Sequence, residues 1–310
     1  MNSRRIVIGL ICVLLSPCWL TCAQGSTWAD MDALAGKLIV EKKYKEAEAT
    51  AFLAVQLATS EFGRKSTNTA KSLTNLGMAY QHQGKYVEAQ KAHKEALEIS
   101  KKLGLHDVEL IASTCLGTIY RATGKFSQAE TMYQRSLAIC DRTVRPDRIQ
   151  LVLPLSNLAD LYTQQGKMAK AEPLLRRILA LREKNLQPRD PLIGESCALL
   201  GFVLAQQNKL SEAASSLKRG TKILEEANSP NLCNALLFSA TLYSQQGKLS
   251  EAEESLKRAV VLAEKFWGPN DPRICNFLGG LARIYGRQGK KAEAKKLEAR
   301  VNKIRNLSAK

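Results

Sequence analysis

Small and apolar residues recur along this chain in blocks about 42 residues long, and within each block their spacing is helical. A convenient origin is the Gly-Lys pair at Gly84, Gly124, Gly166, Gly247 and Gly289. Asn208 takes that place in QQNKLSEA, and Lys42 in the degenerate EKKYKEAEA. Successive pivots are 42, 40, 42, 42, 39 and 42 residues apart. Five residues after them stand Ala47, Ala89, Ala129, Ala171, Ala213, Ala252 and Ala294. Seven before them only small residues occur: Ala35, Gly77, Gly117, Ala159, Gly201, Ala240 and Ala282. Four before are Tyr80, Tyr120, Tyr162, Tyr243 and Tyr285, with Leu38 and Leu204 in the same place, and eight before is leucine in six copies, with Ser239 the exception. Steps of three, four and seven share one helical face. After the pivot a second stripe begins at Tyr86, Phe126, Met168, Leu210 or Leu249 and reaches an aliphatic residue fifteen past the pivot, from Leu57 to Ile304. Each block therefore predicts a helix, a tight turn with positive φ at the pivot, and an antiparallel helix.

Small residues at facing positions let two helix backbones approach to about 8–10 Å while Tyr and Leu fill the remaining gaps. A Gly-Lys pair is also part of a phosphate-cradling loop, which needs another glycine five residues earlier and Ser or Thr after the lysine. Here those places hold Ala79, Ile119, Leu161, Leu242 and Ile284, then Tyr86, Phe126, Met168, Leu249 and Lys291, so the pair reads as a turn. With loops such as FWGPNDPR (266–273) and LQPRDP (186–191), the pattern resembles the tetratricopeptide repeat in its kinesin-light-chain-like, 42-residue form, from residue 27 to about 305. The resemblance implies an all-α, right-handed α-solenoid of about seven helix-turn-helix repeats within residues 24–305. The repeats fall at about 27–65, 66–109, 110–150, 151–192, 193–231, 232–273 and 274–305, with a basic tail at 306–310.

It also implies a concave groove lined by first helices, at two, three, six, ten and thirteen residues before each pivot. That register assigns Lys71, Thr74, Met78 and Gln81, then Thr114, Thr118 and Arg121, then Ser156, Asp160 and Gln164 to a partner-binding groove. Phe202 and Gln206 follow, then Asn234, Thr241 and Gln245, and finally Arg283 and Arg287. In kinesin light chains an asparagine nine before the pivot contacts the cargo backbone. Asn75 and Asn157 match it, whereas Cys115, Leu199, Phe238 and Gly280 do not. This neutral, hydrogen-bonding lining with apolar anchors suits a protein partner or an extended peptide. A merely solvated face is the alternative reading.

Composition adjusts this picture in three places. Aromatics are only 6% of the 310 residues, which favours helix over strand and leaves the groove without the interleaved rings of a nucleic-acid platform. The first 23 residues, Arg4 and Arg5 ahead of an apolar run to about Leu20 and small residues at Thr21 and Ala23, have the layout of a signal peptide. Export to a periplasmic or secreted location is therefore expected, with an uncleaved N-terminal anchor as the alternative, and Thr27 and Asp30 form a capping box just beyond. The five cysteines after residue 23 are widely spaced without a CxxC pair, so helix packing rather than a disulfide or zinc framework is expected.

The formal net charge is +17, and residues 283–310 carry ten Lys and Arg against two Glu. Lys290, Lys291, Lys295, Lys296, Arg300 and Lys303 either serve the polar cap that a repeat array requires or dock on an anionic envelope polymer or membrane. His82, His93 and His106 lack metal spacing, and no HExxH, GxSxG or paired-carboxylate motif is present. The expected protein is an exported, non-catalytic interaction scaffold without cofactor, metal, nucleic-acid partner or small-molecule substrate.

Overall fold

The computed structural model describes residues 27–143 and 149–308, and the segment read as a signal peptide lies outside them. Among the described residues there are fourteen α-helices, one 3₁₀ turn and no strand, and no helix is long and apolar enough to cross a membrane. The helices pair as expected: α1 (Trp28–Val40) with α2 (Tyr44–Phe62), α3 (Thr67–His82) with α4 (Tyr86–Leu103), and α5 (His106–Ala122) with α6 (Phe126–Thr143). After the 3₁₀ turn at Ile149–Leu151 come α7 (Val152–Gln164) with α8 (Met168–Asn185) and α9 (Pro191–Gln206) with α10 (Leu210–Glu226). The last pairs are α11 (Leu232–Gln245) with α12 (Leu249–Trp267), and α13 (Ile274–Arg287) with α14 (Lys291–Ser308). The pairs fall into two compact units, unit one at residues 1–139 and unit two at 140–310.

All seven pivots occupy the left-handed region, from Lys42 and Asn208 at φ 61° to Gly289 at 78°. At each one the following N–H donates to the carbonyl five residues back, as Lys85 does to Tyr80 at 3.0 Å and Lys209 to Leu204 at 2.9 Å. The pivot N–H donates to the carbonyl three back, as Gly84 does to Gln81 at 3.1 Å, so a Schellman pair satisfies the helix end. That Lys42 adopts this conformation, which disfavours a side chain with Cβ, marks it as a genuine seventh turn.

The small residues explain why a turn this tight works. Six of the seven alanines after the pivot are wholly buried, and Ala294 is 8% exposed. A Cβ placed on Gly77 would lie 2.6 Å from the His93 ring, one on Gly117 2.5 Å from Tyr133, and one on Gly201 2.7 Å from Leu217. Each intruding side chain stands nine past the pivot, so a missing side chain on the first helix is filled by a large one on the second. Where the first helix carries Ala35, the second carries Ala51, and the two share one apolar cluster. In unit two, α9 and α10 approach backbone to backbone. A Cβ on Gly220 would meet Gly194 O at 2.7 Å and Ala198 N at 2.8 Å.

Three boundaries differ from expectation. α5 begins at His106 rather than about 110, because Gly104 (φ 69°) ends α4 and Leu105 N–H donates to Ser100 O at 2.9 Å, leaving only Gly104 and Leu105 as the link. α9 begins at Pro191 rather than 193, because Asp190 accepts from Leu192 N at 2.8 Å and proline suits the first helical position. α14 continues to Ser308, through residues read as tail. At the other end the capping box forms, with Thr27 N donating to Asp30 Oδ2 at 2.9 Å and Asp30 N to Thr27 Oγ1 at 3.3 Å.

The cysteines are free thiols; Cys140, Cys197, Cys233 and Cys275 are buried and Cys115 half-buried. Burial pushes the Cys115 thiol up to about 12 and that of Cys233 to about 11, the behaviour of inert packing residues. His93 is wholly buried, neither ring nitrogen has a hydrogen-bond partner among the described residues, and burial pushes its pKa down to about 4.

Gly117→Ala should cost about 1–3 kcal/mol through overpacking against Tyr133. Adding Tyr133→Leu, which recreates the Ala159 and Leu175 combination, should recover most of it. Urea midpoints report both, and an unchanged midpoint in the single variant refutes the packing argument. For His93, the unfolded imidazole binds a proton near its ordinary 6.5, whereas the folded one resists until about 4. Stability should therefore decline as pH falls from about 6.5 to 4. His93→Leu, which copies the Gly201 and Leu217 pair, should remove that decline. Thermal midpoints at pH 7 and pH 4.5 that fall equally in both proteins would contradict it.

Candidate partner-binding face

The polar residues beside the pivots first settle what the Gly-Lys pair does. At Lys85, Lys209 and Lys290 the lysine reaches sideways to a glutamate six past the preceding pivot. Lys85 Nζ lies 2.6 Å from Glu48, and Gln83 donates to the same carboxylate at 2.6 Å. Lys209 and Gln207 hold Glu172 at 2.6 and 2.8 Å, and Lys290 lies 2.8 Å from Glu253. Lys209, then Gln207 and Arg176, draw the Glu172 carboxyl down to about 2, and Lys257 and Lys290 do the same for Glu253. At these three turns the lysine ties one repeat to the next and is not set to cradle phosphate. In the last repeat the corresponding place holds Lys295 in place of a glutamate.

A second set of ties was legible in the sequence and went unread. Arginine stands eleven past five pivots, at Arg135, Arg177, Arg219, Arg258 and Arg300. In unit two the last four pair with an acid seventeen past the preceding pivot: Arg177 with Asp141 at 2.6 Å, Arg219 with Glu183 at 2.5 Å, Arg258 with Glu225, and Arg300 with Glu264 at 2.6 Å. In unit one that acid place holds Lys101, and Arg135 turns instead to buried Glu109. Each exposed pair contributes little alone, about 0–1 kcal/mol. Their shared register places much of the arginine charge on the second helices.

The residues assigned to the partner-binding face divide into those committed to the fold and those left for a partner. Thr74 is 4% exposed and its hydroxyl donates to Ala70 O at 2.9 Å, so it belongs to helix packing and is not part of an open lining. Thr114 shares its hydroxyl with Leu110 O and Ser136 Oγ, each at 2.8 Å. Thr118 donates to Thr114 O at 3.1 Å and accepts from Tyr133 OH at 3.2 Å. Asn75 donates to Asp32 Oδ1 at 3.0 Å, within a set in which Ser72 also reaches Asp32 and Trp28 reaches Ser72, each at 2.8 Å. That asparagine locks α3 onto α1, which leaves Asn157 as the half-buried asparagine of that register without a hydrogen bond among the described residues. Lys71 is exposed, and Met78, Gln81 and Arg121 are half-buried.

Unit two keeps more of its face open. Asp160, Gln164, Gln206, Asn234, Gln245, Arg283 and Arg287 are exposed and Ser156 is half-buried, whereas the half-buried Thr241 donates its hydroxyl to Leu237 O at 3.0 Å, as Thr74 does to Ala70 O. Phe202 packs on Phe238 with ring centroids 4.7 Å apart at 30°. The register could have found Phe238, since positions six before one pivot and nine before the next come together here. Between α11 and α13 lies a cleft of about 280 Å³, lined by Thr241, Ser244, Gln245, Arg283 and Arg287 over an apolar base of Leu237, Leu256 and Ile284. Arg287 Nη1 donates to Ser244 O at 2.9 Å and to Ser244 Oγ.

The basic residues of α14 and its turn also divide. Lys290 pairs with Glu253 and lies 5.2 Å over the Tyr285 ring, and Arg300 holds Glu264 and donates to Pro269 O at 2.9 Å, so both are tied into the fold. Lys291, Lys295, Lys296 and Lys303 are exposed and have no ion pair among the described residues.

The tetratricopeptide repeat model matches residues 30–102, 107–184, 151–226 and 231–305. The mitochondrial tetratricopeptide repeat protein 19 homolog of Drosophila melanogaster is 28% identical over 116 residues. The match takes in 37% of this chain and 31% of that protein, so the chain spans under a third of that relative's length. Among solved structures, a kinesin-light-chain-like protein of Podosopora anserina with nearly identical repeats superposes with a TM-score of 0.56 at 21% identity, covering 64% of this chain and 95% of that one. A Rap protein complexed with competence and sporulation factor superposes at 0.60 with 16% identity, covering 89% and 76%.

Proposed function

We propose, from the premise that the chain belongs to the tetratricopeptide repeat family with repeats of the kinesin-light-chain-like type, that it is an exported, non-catalytic scaffold binding a protein or extended peptide on its first helices. The fold supports protein–protein interaction as its general role. The observation that carries the finer reading is the face of unit two, where the Phe202 and Phe238 rings, the exposed Gln206 and Gln245, and the cleft beside Arg283 follow one another on neighbouring first helices. Such a face offers apolar anchors and side-chain amides for the main chain of an extended segment. Export rests on residues 1–23 alone. The complex of the Rap protein with its factor is a precedent for a partner bound by this fold and does not extend to partner identity.

A second reading rests on the four exposed lysines of α14. They face solvent as a basic stripe and would attach the protein to an anionic envelope polymer or membrane.

Affinity capture from the exported fraction, in which the mature protein should begin at Gln24, tests the first reading. Phe202→Ala/Gln206→Ala/Gln245→Ala should lose at least one partner retained by the parent while keeping its helical circular dichroism, and identical partner sets would reject it. Sedimentation with vesicles containing anionic phospholipid tests the second. Binding at 100 mM NaCl should vanish at 1 M, where screening shortens to about 3 Å, and in Lys295→Glu/Lys296→Glu. Salt-independent binding, or none, would discard it.

A further inference from the structure

Contacts inside the array fix which places of one repeat meet which places of the next. The residue one before a pivot meets the one six past the preceding pivot, as Gln83 meets Glu48 at 2.6 Å and Gln207 meets Glu172 at 2.8 Å. Eleven past meets seventeen past in the arginine rungs of unit two. Nine before meets ten before where Asn75 donates to Asp32 at 3.0 Å. Two before meets three before where Arg287 donates to Ser244 O at 2.9 Å. In each case the first place faces back along the array and the second faces forward. Among the described residues no repeat precedes α1 or follows α14, so these places stand open at the two ends.

The open places depart from the interior pattern, and they do so in complementary ways. One before the pivot, five repeats carry Gln and one carries Thr123, while the first carries Glu41. Six past it, four carry Glu and two carry Gln90 or Ala214, while the last carries Lys295. Both end residues are exposed, and Lys295 has no ion pair among the described residues. Eleven past its pivot the first repeat has half-buried Leu53 where the others have Glu95 or an arginine. Seventeen past, the last repeat has Asn306, followed by Leu307 at 52% exposure. On the first helices the backward places of α1 hold Ala33 and Val40, the latter 82% exposed, and the forward places of α13 hold Gly279 and Gly286. A Cβ on either glycine would meet nothing within 4 Å, so the chain's own packing gives no reason for a weak helix former there. An array that ends in water needs polar terminal faces, and Val40 and Leu307 are the reverse. Charge divides in the same way. Hairpin α1–α2 holds six Asp and Glu against four Lys, the one hairpin of seven with an acidic excess, whereas α13–α14 holds nine Lys and Arg against two Glu.

We infer that the α1–α2 end of one copy docks on the α13–α14 end of a second copy, head to tail, in the register that joins neighbouring repeats. Glu41 then meets Lys295, Val40 and Ala33 lie against the bare backbone at Gly286 and Gly279, and Leu53 covers Asn306 and Leu307. Lys43 already holds Glu41 at 2.9 Å, and a carboxylate shared by two cations has a counterpart in Glu253, between Lys257 and Lys290. Tail-to-tail pairing would set Lys295 and Lys296 against their own copies, which like charge disfavours. The contact is heterologous, so successive copies extend into open chains or close into rings according to the rotation per copy. It leaves the Phe202 and Gln245 face untouched and goes beyond the scaffold reading.

Sedimentation velocity of the purified full chain, without lipid or partner, across a dilution series tests the docking. The parent should pass from monomer to dimer and longer species as concentration rises. Glu41→Lys, which gathers three ammonium groups at the junction, should raise the dissociation constant about tenfold. Glu41→Lys/Lys295→Glu should return it to within about threefold of the parent. Glu41→Gln/Lys295→Glu, which copies the tie of Gln207 and Lys209 to Glu172, should keep the association as well. Glu98→Lys, an equal charge change on α4, should leave it unchanged. Helical circular dichroism of each variant excludes unfolding as the cause. A parent that stays monomeric throughout overturns the proposal, and its sedimentation with anionic vesicles would then give Lys295 to the surface-docking reading. Association of equal strength in the parent and Glu41→Lys overturns it by assigning self-contact to another surface. A loss in Glu41→Lys that Lys295→Glu does not rescue, or an equal loss in Glu98→Lys, overturns it too.

Discussion

The structure depends on two helix backbones being allowed to touch immediately after a turn of only a few residues. The first helix permits this by dropping its side chain to hydrogen or methyl seven residues before the pivot. The second does so with a buried alanine five residues after it. Bulk removed at one place is restored at another: Gly77 against His93, Gly117 against Tyr133 and Gly201 against Leu217 are the same joint filled three ways. The His93 version is the costly one, since it seals two unpartnered nitrogens into the interior. With the joint closed, the side chains three and four residues away are carried to fixed faces, and the positions open to a partner follow from it.

Polar groups then sort by helix. Second helices hold the ties between repeats, through Arg at one fixed place and Glu or Asp at another, while the turns add the Gln, Lys and Glu contacts seen at Glu48 and Glu172. First helices in unit two carry few charges, namely Asp160, Glu195, Arg283 and Arg287. The arginines of a basic chain are in this way largely paired with acids, while lysines without an ion pair among the described residues occur in both units, at Lys71, Lys101 and Lys102 as well as on α14.

Much of the fold was legible because periodicity in small residues is a packing signal that survives variation in everything else. All seven turns, including the degenerate one at Lys42, fall where the spacing put them. The differences are local. α5 starts early because Gly104 adds a second left-handed stop, a feature carried by one residue and not by the period. The partner-binding face was less legible, since a register identifies the side of a helix and says nothing about whether a hydroxyl or amide is already engaged there. Thr74 turns back onto its own helix and Asn75 reaches across to Asp32. Position alone cannot distinguish them from Gln206 or Gln245. The arginine ladder was missed for the opposite reason, since it was fully periodic but lay outside the apolar and small residues being followed.

That ladder bears on how such a chain changes length. In unit two every rung joins an acid in one repeat to a guanidinium at the same place in its successor: Asp141 to Arg177, Glu183 to Arg219, Glu225 to Arg258, Glu264 to Arg300. A cassette of one whole period, spliced out or duplicated, presents the same acid to the same arginine at the new junction. A deletion of one or two residues within a helix rotates every later rung away from its mate. The chemistry of the rungs thus quantises the permissible edits, favouring gain or loss of entire hairpins over gradual trimming.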